Sequence, residues 1–133
     1  MRNSSINVLC IDDNIISRLL VVQMLSKLGY TIFEASDGLS GLKLLQEHPE
    51  IEWVVLDLEM PILDGYEFLK VVNINCYYAN LRIIVNSSVQ KDAYLHNIED
   101  RKIPTDKVCD FVSKPYDSFR IDQILQNAHA SGI

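Results

Sequence analysis

The sequence predicts an α/β domain built on a parallel sheet, and three observations carry that prediction. Short apolar, β-rich runs alternate with amphipathic stretches along the whole 133-residue chain. The run Ile51–Leu56, with Trp53, Val54 and Val55 at its centre, is apolar on both faces, as a strand covered by helices on two sides must be. Polar residues capable of chemistry gather where the runs stop, the place where open α/β sheets bind ligands. One domain over residues 1–133 follows from the length and from the lack of any repeat, linker or low-complexity tract.

The elements follow in order. Ile6–Ile11 reads as a buried strand ended by Asp12 and Asp13. Asn14 then precedes Ile15, Ile16, Leu19, Leu20, Met24, Leu25 and Leu28, an apolar spacing for a helix with Asn14 as N-cap and Gly29 as its stop. Tyr30–Ala35 is a second strand, and Asp37-Gly38 opens a second helix that ends before Pro49. After the third strand, Met60-Pro61-Ile62-Leu63-Asp64-Gly65 is a turn-rich loop leading into a helix from about Tyr66 to Cys76. Arg82–Asn86 is the fourth strand, and Val89 to about Glu99 carries a weak helical pattern. Residues 101–107, with Pro104 among them, read as loop; Val108–Val112 is the fifth strand and Asp117–Ala128 the fifth helix.

Composition removes several classes of function. Twelve Lys+Arg against 18 Asp+Glu gives a net charge of −6, so the basic footprint of a nucleic-acid binder is missing, as are the Lys/Arg clusters that seek anionic lipid. The N-terminus is polar and no apolar run is long enough for a signal peptide or a spanning helix, so a cytoplasmic protein without membrane insertion is expected. Cys10, Cys76 and Cys109 are odd in number and far apart, with no C-x-x-C; free buried thiols in a reducing compartment are the expectation.

The residues just beyond the strands are Asp12 and Asp13, then Asp57, then Ser87 and Ser88, then Lys114 followed by Pro115. Singly each has an ordinary explanation, such as a helix cap, a turn or a solvated lysine. With the first and third strands adjacent, three carboxylates converge and repel one another unless neutralised. A hard divalent cation with oxygen ligands, Mg²⁺ in a cell, is the simplest neutraliser, and with Lys114 it balances the three negative charges. A carboxylate held in this way can act as a nucleophile toward phosphorus, with the metal, Lys114 and the Ser87 hydroxyl stabilising the equatorial oxygens.

Four segments in this order, Leu9-Cys10-Ile11-Asp12-Asp13-Asn14, Val55–Gly65 with its D-x-x-M-P-x-x-D-G pattern, Val85-Asn86-Ser87-Ser88 and Phe111-Val112-Ser113-Lys114-Pro115, resemble the receiver domain of two-component response regulators, and they span almost the whole chain. The resemblance implies a flavodoxin-like, doubly wound sheet with strand order 2-1-3-4-5 and five helices. It implies that Asp57 accepts a phosphoryl group from a sensor histidine kinase or histidine phosphotransfer protein. It further implies that Asp12, Asp13, Asp57 and the backbone carbonyl of Glu59 serve Mg²⁺, and that Lys114 and Ser87 contact the phosphoryl oxygens. Phe111 would hold the aromatic switch position, while Pro61, Gly65 and Pro115 would shape loops. On phosphorylation, added charge of about −1 and new acceptor oxygens would draw Ser87 and Lys114 inward and rearrange the face made by the fourth helix, fifth strand and fifth helix.

The chain departs from the usual pattern at Asn86, where an apolar residue is common, at Ser88 and at Glu59, and in the long segment 88–113 with Asp106-Lys107-Val108-Cys109-Asp110 before the fifth strand. The leading expectation is a stand-alone phosphoacceptor switch, not a turnover enzyme, acting through protein contacts. The alternatives are a receiver segment of a larger hybrid kinase or regulator, a receiver that binds partners without phosphorylation, and a small aspartyl phosphatase using Glu59 as its second acid.

Overall fold

The computed structural model describes residues 6–114 and 118–131. Their elements are β1 (Asn7–Ile11), α1 (Ile15–Lys27), β2 (Thr31–Ala35), α2 (Gly38–Glu47), β3 (Trp53–Leu56), α3 (Gly65–Ile74), a 3-10 turn (Cys76–Tyr78), β4 (Arg82–Ser87), α4 (Lys91–Asp100), β5 (Val108–Ser113) and α5 (Ser118–Ser131). The strands form one sheet in the order β2-β1-β3-β4-β5, with every pair parallel. Both the alternation and the strand order expected from sequence are therefore present.

Strand alternation divides the core in two. On one side Leu9, Ile11, Val54, Leu56, Ile83 and Val85 meet Leu45 of α2, Phe68 and Leu69 of α3 and Tyr94 of α4. On the other, Val8, Cys10, Trp53, Val55, Ile84 and Val112 meet Val21 and Leu25 of α1 and Ile121 and Leu125 of α5. All of β3 is buried, which explains its unbroken apolar sequence.

Local chemistry sets the helix ends. Asn14, Asp37 and Asp64 each accept a hydrogen bond from the backbone N–H three residues on, and the Glu67 carboxylate accepts one from the Asp64 N–H, which completes a capping box. Each such cap contributes about 1 kcal/mol. Gly29, at φ 98°, closes α1 with paired bonds from Tyr30 N to Leu25 O and from Gly29 N to Ser26 O, a Schellman motif. Lys102, at φ 54°, closes α4 the same way, with Ile103 N donating to Ile98 O.

Several elements differ in detail from what the sequence predicts. Helix α3 stops at Ile74 because Asn75 turns its side chain to the Tyr77 N–H and starts the 3-10 turn. Helix α4 begins at Lys91, not Val89, because the Val89 N–H goes to Ser87 Oγ. Strand β5 carries a bulge: Ile83 pairs with Val108 but Ile84 with Asp110, leaving Cys109 as the extra residue. Helix α5 runs to Ser131; Asp117 and Pro115 lie outside the described residues. The expectation of buried thiols holds only for Cys10, on a central strand; Cys76 in the 3-10 turn and Cys109 at the bulge are exposed. Among the described residues no helix is long and apolar enough to cross a membrane.

Candidate functional site

Sheet register assembles the site. Ile11 pairs with Leu56, so the next residues, Asp12 and Asp57, stand side by side, and the Asp57 N–H donates to Ile11 O at 3.0 Å. By alternation both side chains leave on the side of Cys10 and Val55. Asp13, one residue on, is exposed at the mouth. The three residues offer carboxylate oxygens that all lie within 4.8 Å of one another. This is a cluster that can hold a metal ion.

Lys114 reaches into it from the end of β5. Its Nζ donates to Asp12 Oδ2 at 2.9 Å and lies 3.7 Å from Asp57 Oδ2, and all three side chains are largely buried. The other Asp57 oxygen, Oδ1, accepts from the Leu58 N–H at 2.9 Å, and Asp12 Oδ1 accepts from the Asn14 N–H at 2.9 Å. One ammonium cannot offset three carboxylates. Burial accordingly pushes the Asp57 carboxyl up to about 6, opposed by Lys114 and the Leu58 N–H and reinforced by Asp12 and Asp13. The mismatch is what a bound divalent cation corrects, and the all-oxygen donor set suits a hard one.

The remaining expected residues fall as follows. Ser87 ends β4, fully buried, with its hydroxyl accepting from the Val89 N–H at 3.2 Å and its carbonyl accepting from the Lys114 N–H at 2.9 Å. Phe111 is half-buried on β5, its ring 5.0 Å from that of Tyr94 in α4. Glu59 has an exposed side chain and stands outside the carboxylate cluster. Pro61 accepts from the Leu63 N–H at 2.8 Å across Ile62, whose φ of 70° makes a γ-turn there. Gly65 brings its backbone against the site: a Cβ there would lie 2.4 Å from Asp57 O. Pro115 lies outside the described residues.

Four contributors are not legible as site residues in the sequence. Arg18 of α1 donates to the Asp12 carbonyl at 2.6 Å and pairs with Glu34 at 3.1 Å; its place on the first turn after Asn14 is the only hint. Asn86 puts a buried carboxamide in the row beside Asp57, and its polarity in an apolar strand is the signal. Tyr66 stacks at 6.4 Å on Tyr94, and Arg101 sits 4.6 Å over the Tyr66 ring and 3.6 Å from Asp64, tying α4 to the start of α3.

Comparison with known proteins agrees with this geometry. Residues 8–126 match the response regulator receiver domain. The sensor histidine kinase CheAY of Helicobacter pylori is 31% identical over 123 residues, covering 91% of this chain and 15% of that protein. A probable chemotaxis protein CheY of Rhizobium etli is 42% identical over 71 residues, covering 53% of this chain and 54% of its own. The chain thus spans well under two thirds of the length of these relatives. Among solved structures, the CheX–CheY–BeF3–Mg²⁺ complex from Borrelia burgdorferi superimposes with a TM-score of 0.76 at 27% identity, covering 93% of this chain and 89% of that one. A receiver protein from Pseudomonas putida, at 22% identity with a TM-score of 0.79 over 92% and 96% of the two chains, shares the fold. Register, carboxylate cluster and profile together place this chain in the response regulator receiver domain family, a family of two-component signalling switches.

Proposed function

We propose that the protein is a Mg²⁺-dependent phosphoacceptor switch in which Asp57 takes a phosphoryl group from a histidine of a sensor kinase or phosphotransfer protein. The observation that carries this reading is the meeting of Asp12, Asp13 and Asp57 within 4.8 Å, with Lys114 as the described cation among them. Asp12, Asp13, Asp57 and the Glu59 carbonyl would hold Mg²⁺, which supplies charge neutralisation for the transferring group. An ionised Asp57 oxygen attacks phosphorus, the donor's N–P bond breaks as the O–P bond forms, and the departing imidazole nitrogen keeps its electron pair and takes a proton. Lys114 and the Ser87 hydroxyl stabilise the phosphoryl oxygens, and burial around Asp57 keeps bulk water from the product.

The donor's docking surface is available next to the cluster. Ile15, Ile16, Leu19 and Leu20 of α1 expose 42–68% of their surface in the turns after Asp13, an apolar patch suited to a partner helix. Output would pass through α4, β5 and α5, where Phe111 of β5 packs on Tyr94 of α4 and joins the two elements. The protein would act in the cytoplasm as a self-limiting switch, not as a turnover phosphatase, a reading supported by the exposed Glu59 side chain standing outside the carboxylate cluster. The similar Borrelia complex, which holds CheY with CheX, BeF3 and Mg²⁺, supports both a metal and a protein partner for this chain.

Incubation with Mg²⁺ and acetyl phosphate, followed by intact-mass measurement, tests this. One phosphoryl adduct on the wild type, lost with EDTA and lost in Asp57→Asn, is the expected result. No adduct on the wild type, or an equal adduct on Asp57→Asn, overturns it.

A further inference from the structure

Sheet order leaves one buried polar group beside the site without an assigned task. Asn86 on β4 is 2% exposed, and its Oδ1 has no hydrogen-bond partner among the described residues. Leu56 pairs with Val85, so Asn86 is the next neighbour of Asp57, and on its other flank it pairs with Val112. Alternation sends its side chain to the side of Ile84, Val55, Cys10 and Val112, the side on which Asp12, Asp57 and Lys114 also lie. Asp12, Asp57 and Asn86 therefore form one polar row across β1, β3 and β4.

Lys114 has to cross that row. It follows β5 and its ammonium bonds Asp12, which follows β1, with β3 and β4 lying between those two strands in the sheet. With the order β1-β3-β4-β5, β4 and its Asn86 lie between the strand that Lys114 follows and the one that Asp12 follows. An ammonium carries three donors. Its described acceptors are Asp12 at 2.9 Å and, more distantly, Asp57 at 3.7 Å. Once a cation claims the Asp12 carboxylate, the ammonium loses its nearest acceptor in a place where an unsatisfied buried donor is expensive.

We propose that Asn86 is a positioning residue: its buried carboxamide oxygen accepts a hydrogen bond from the Lys114 ammonium when that group leaves Asp12 for the phosphoryl group on Asp57. The inference rests on the reading of Asp57 as phosphoacceptor. An apolar side chain at this position could not take the bond. A neutral acceptor satisfies the ammonium without competing for the metal or adding charge beside the phosphoryl oxygens.

The test uses the whole chain with Asn86→Leu, near in shape but without the amide, Asn86→Val in case Leu is too long for the space, and Asn86→Thr, which restores a side-chain oxygen. The readouts are the rate of adduct formation from acetyl phosphate and the ¹⁵N signal of the Lys114 ammonium with Mg²⁺ and beryllofluoride. Slow proton exchange in that signal reports a held ammonium. Leu and Val are expected to lose the slow signal and to slow adduct formation about tenfold, the worth of one charge-assisted hydrogen bond, with Thr restoring both. Rates within about twofold of wild type and an unchanged ammonium signal in Leu or Val would overturn the inference, whatever happens to the melting temperature. Absence of an adduct on the wild type itself would overturn the phosphoacceptor reading, a failure distinguishable because it needs no variant.

Discussion

Lys114 Nζ lies 2.9 Å from Asp12 Oδ2 but 3.7 Å from Asp57 Oδ2, so in this structure the lysine is bonded to the neighbour of the group it is proposed to serve. Asp12 thereby acts as a parking place, and the ammonium is already within a short side-chain movement of Asp57. Lys114→Met removes the described cation from two buried carboxylates. A loss of about 2–4 kcal/mol in unfolding free energy at neutral pH without metal is expected, partly recovered by saturating Mg²⁺. Denaturant titration with and without Mg²⁺ checks it; equal stability of variant and wild type without metal would mean the ion pair is idle.

Asp57 gives a prediction of opposite sign. Its folded-state carboxyl is raised to about 6 from an ordinary 3.8, mainly by burial. Its protonated form is thus favoured by folding: that stabilisation is complete below the unfolded value and is lost as pH rises through the folded one. Asp57→Asn should therefore be more stable than wild type above that range, by about 1–2 kcal/mol after allowance for solvent screening. The gap should close in acid, and also on adding Mg²⁺ to the wild type. Thermal melts across pH provide the check, and a variant less stable than wild type at neutral pH would contradict it.

Gly65 is the steric partner of the site. A Cβ there would meet Asp57 O at 2.4 Å and the Leu58 Cα at 2.7 Å, and the Gly65 N–H already donates to Leu58 O at 2.9 Å. Gly65→Ala meets backbone at both of its closest contacts, so a loss of roughly 2 kcal/mol or more is expected, along with slower phosphorylation as Asp57 shifts. A melting temperature equal to wild type would show that the loop gives way freely.

The thiols separate by environment. Cys10 is buried and its thiol is pushed up to about 12, by burial first and then by Asp12 and Glu34, whereas Cys76 and Cys109 are exposed. A thiol reagent at mildly alkaline pH should titrate two groups in the native protein and the third only after unfolding, with Cys76 ahead of Cys109, whose thiol burial also raises. Three native thiols reacting at one rate would contradict the packing of β1.

Much of this was legible in the sequence because its signals are local. Asn14, Asp37 and Asp64 announce helix starts by type, the apolar Trp53–Leu56 run announces a covered strand, and carboxylates after strands announce the site. What escaped depends on partners distant in sequence. That Lys114 bonds Asp12 rather than Asp57 and that Asn86 completes the row beside Asp57 both follow from the order and register of β1, β3, β4 and β5. The β5 bulge at Cys109 has no periodic signature, and α4 announces itself weakly because Tyr94 is its one fully buried residue.

The phosphoacceptor assignment is tested most directly by locating the phosphoryl group. After reaction with acetyl phosphate and Mg²⁺, borohydride reduces an acyl phosphate to the alcohol, and peptide mapping then shows which aspartate was converted. Conversion at Asp57, with Asp12 and Asp13 intact, is the predicted result. Conversion at Asp12 or Asp13, or none anywhere, would contradict it.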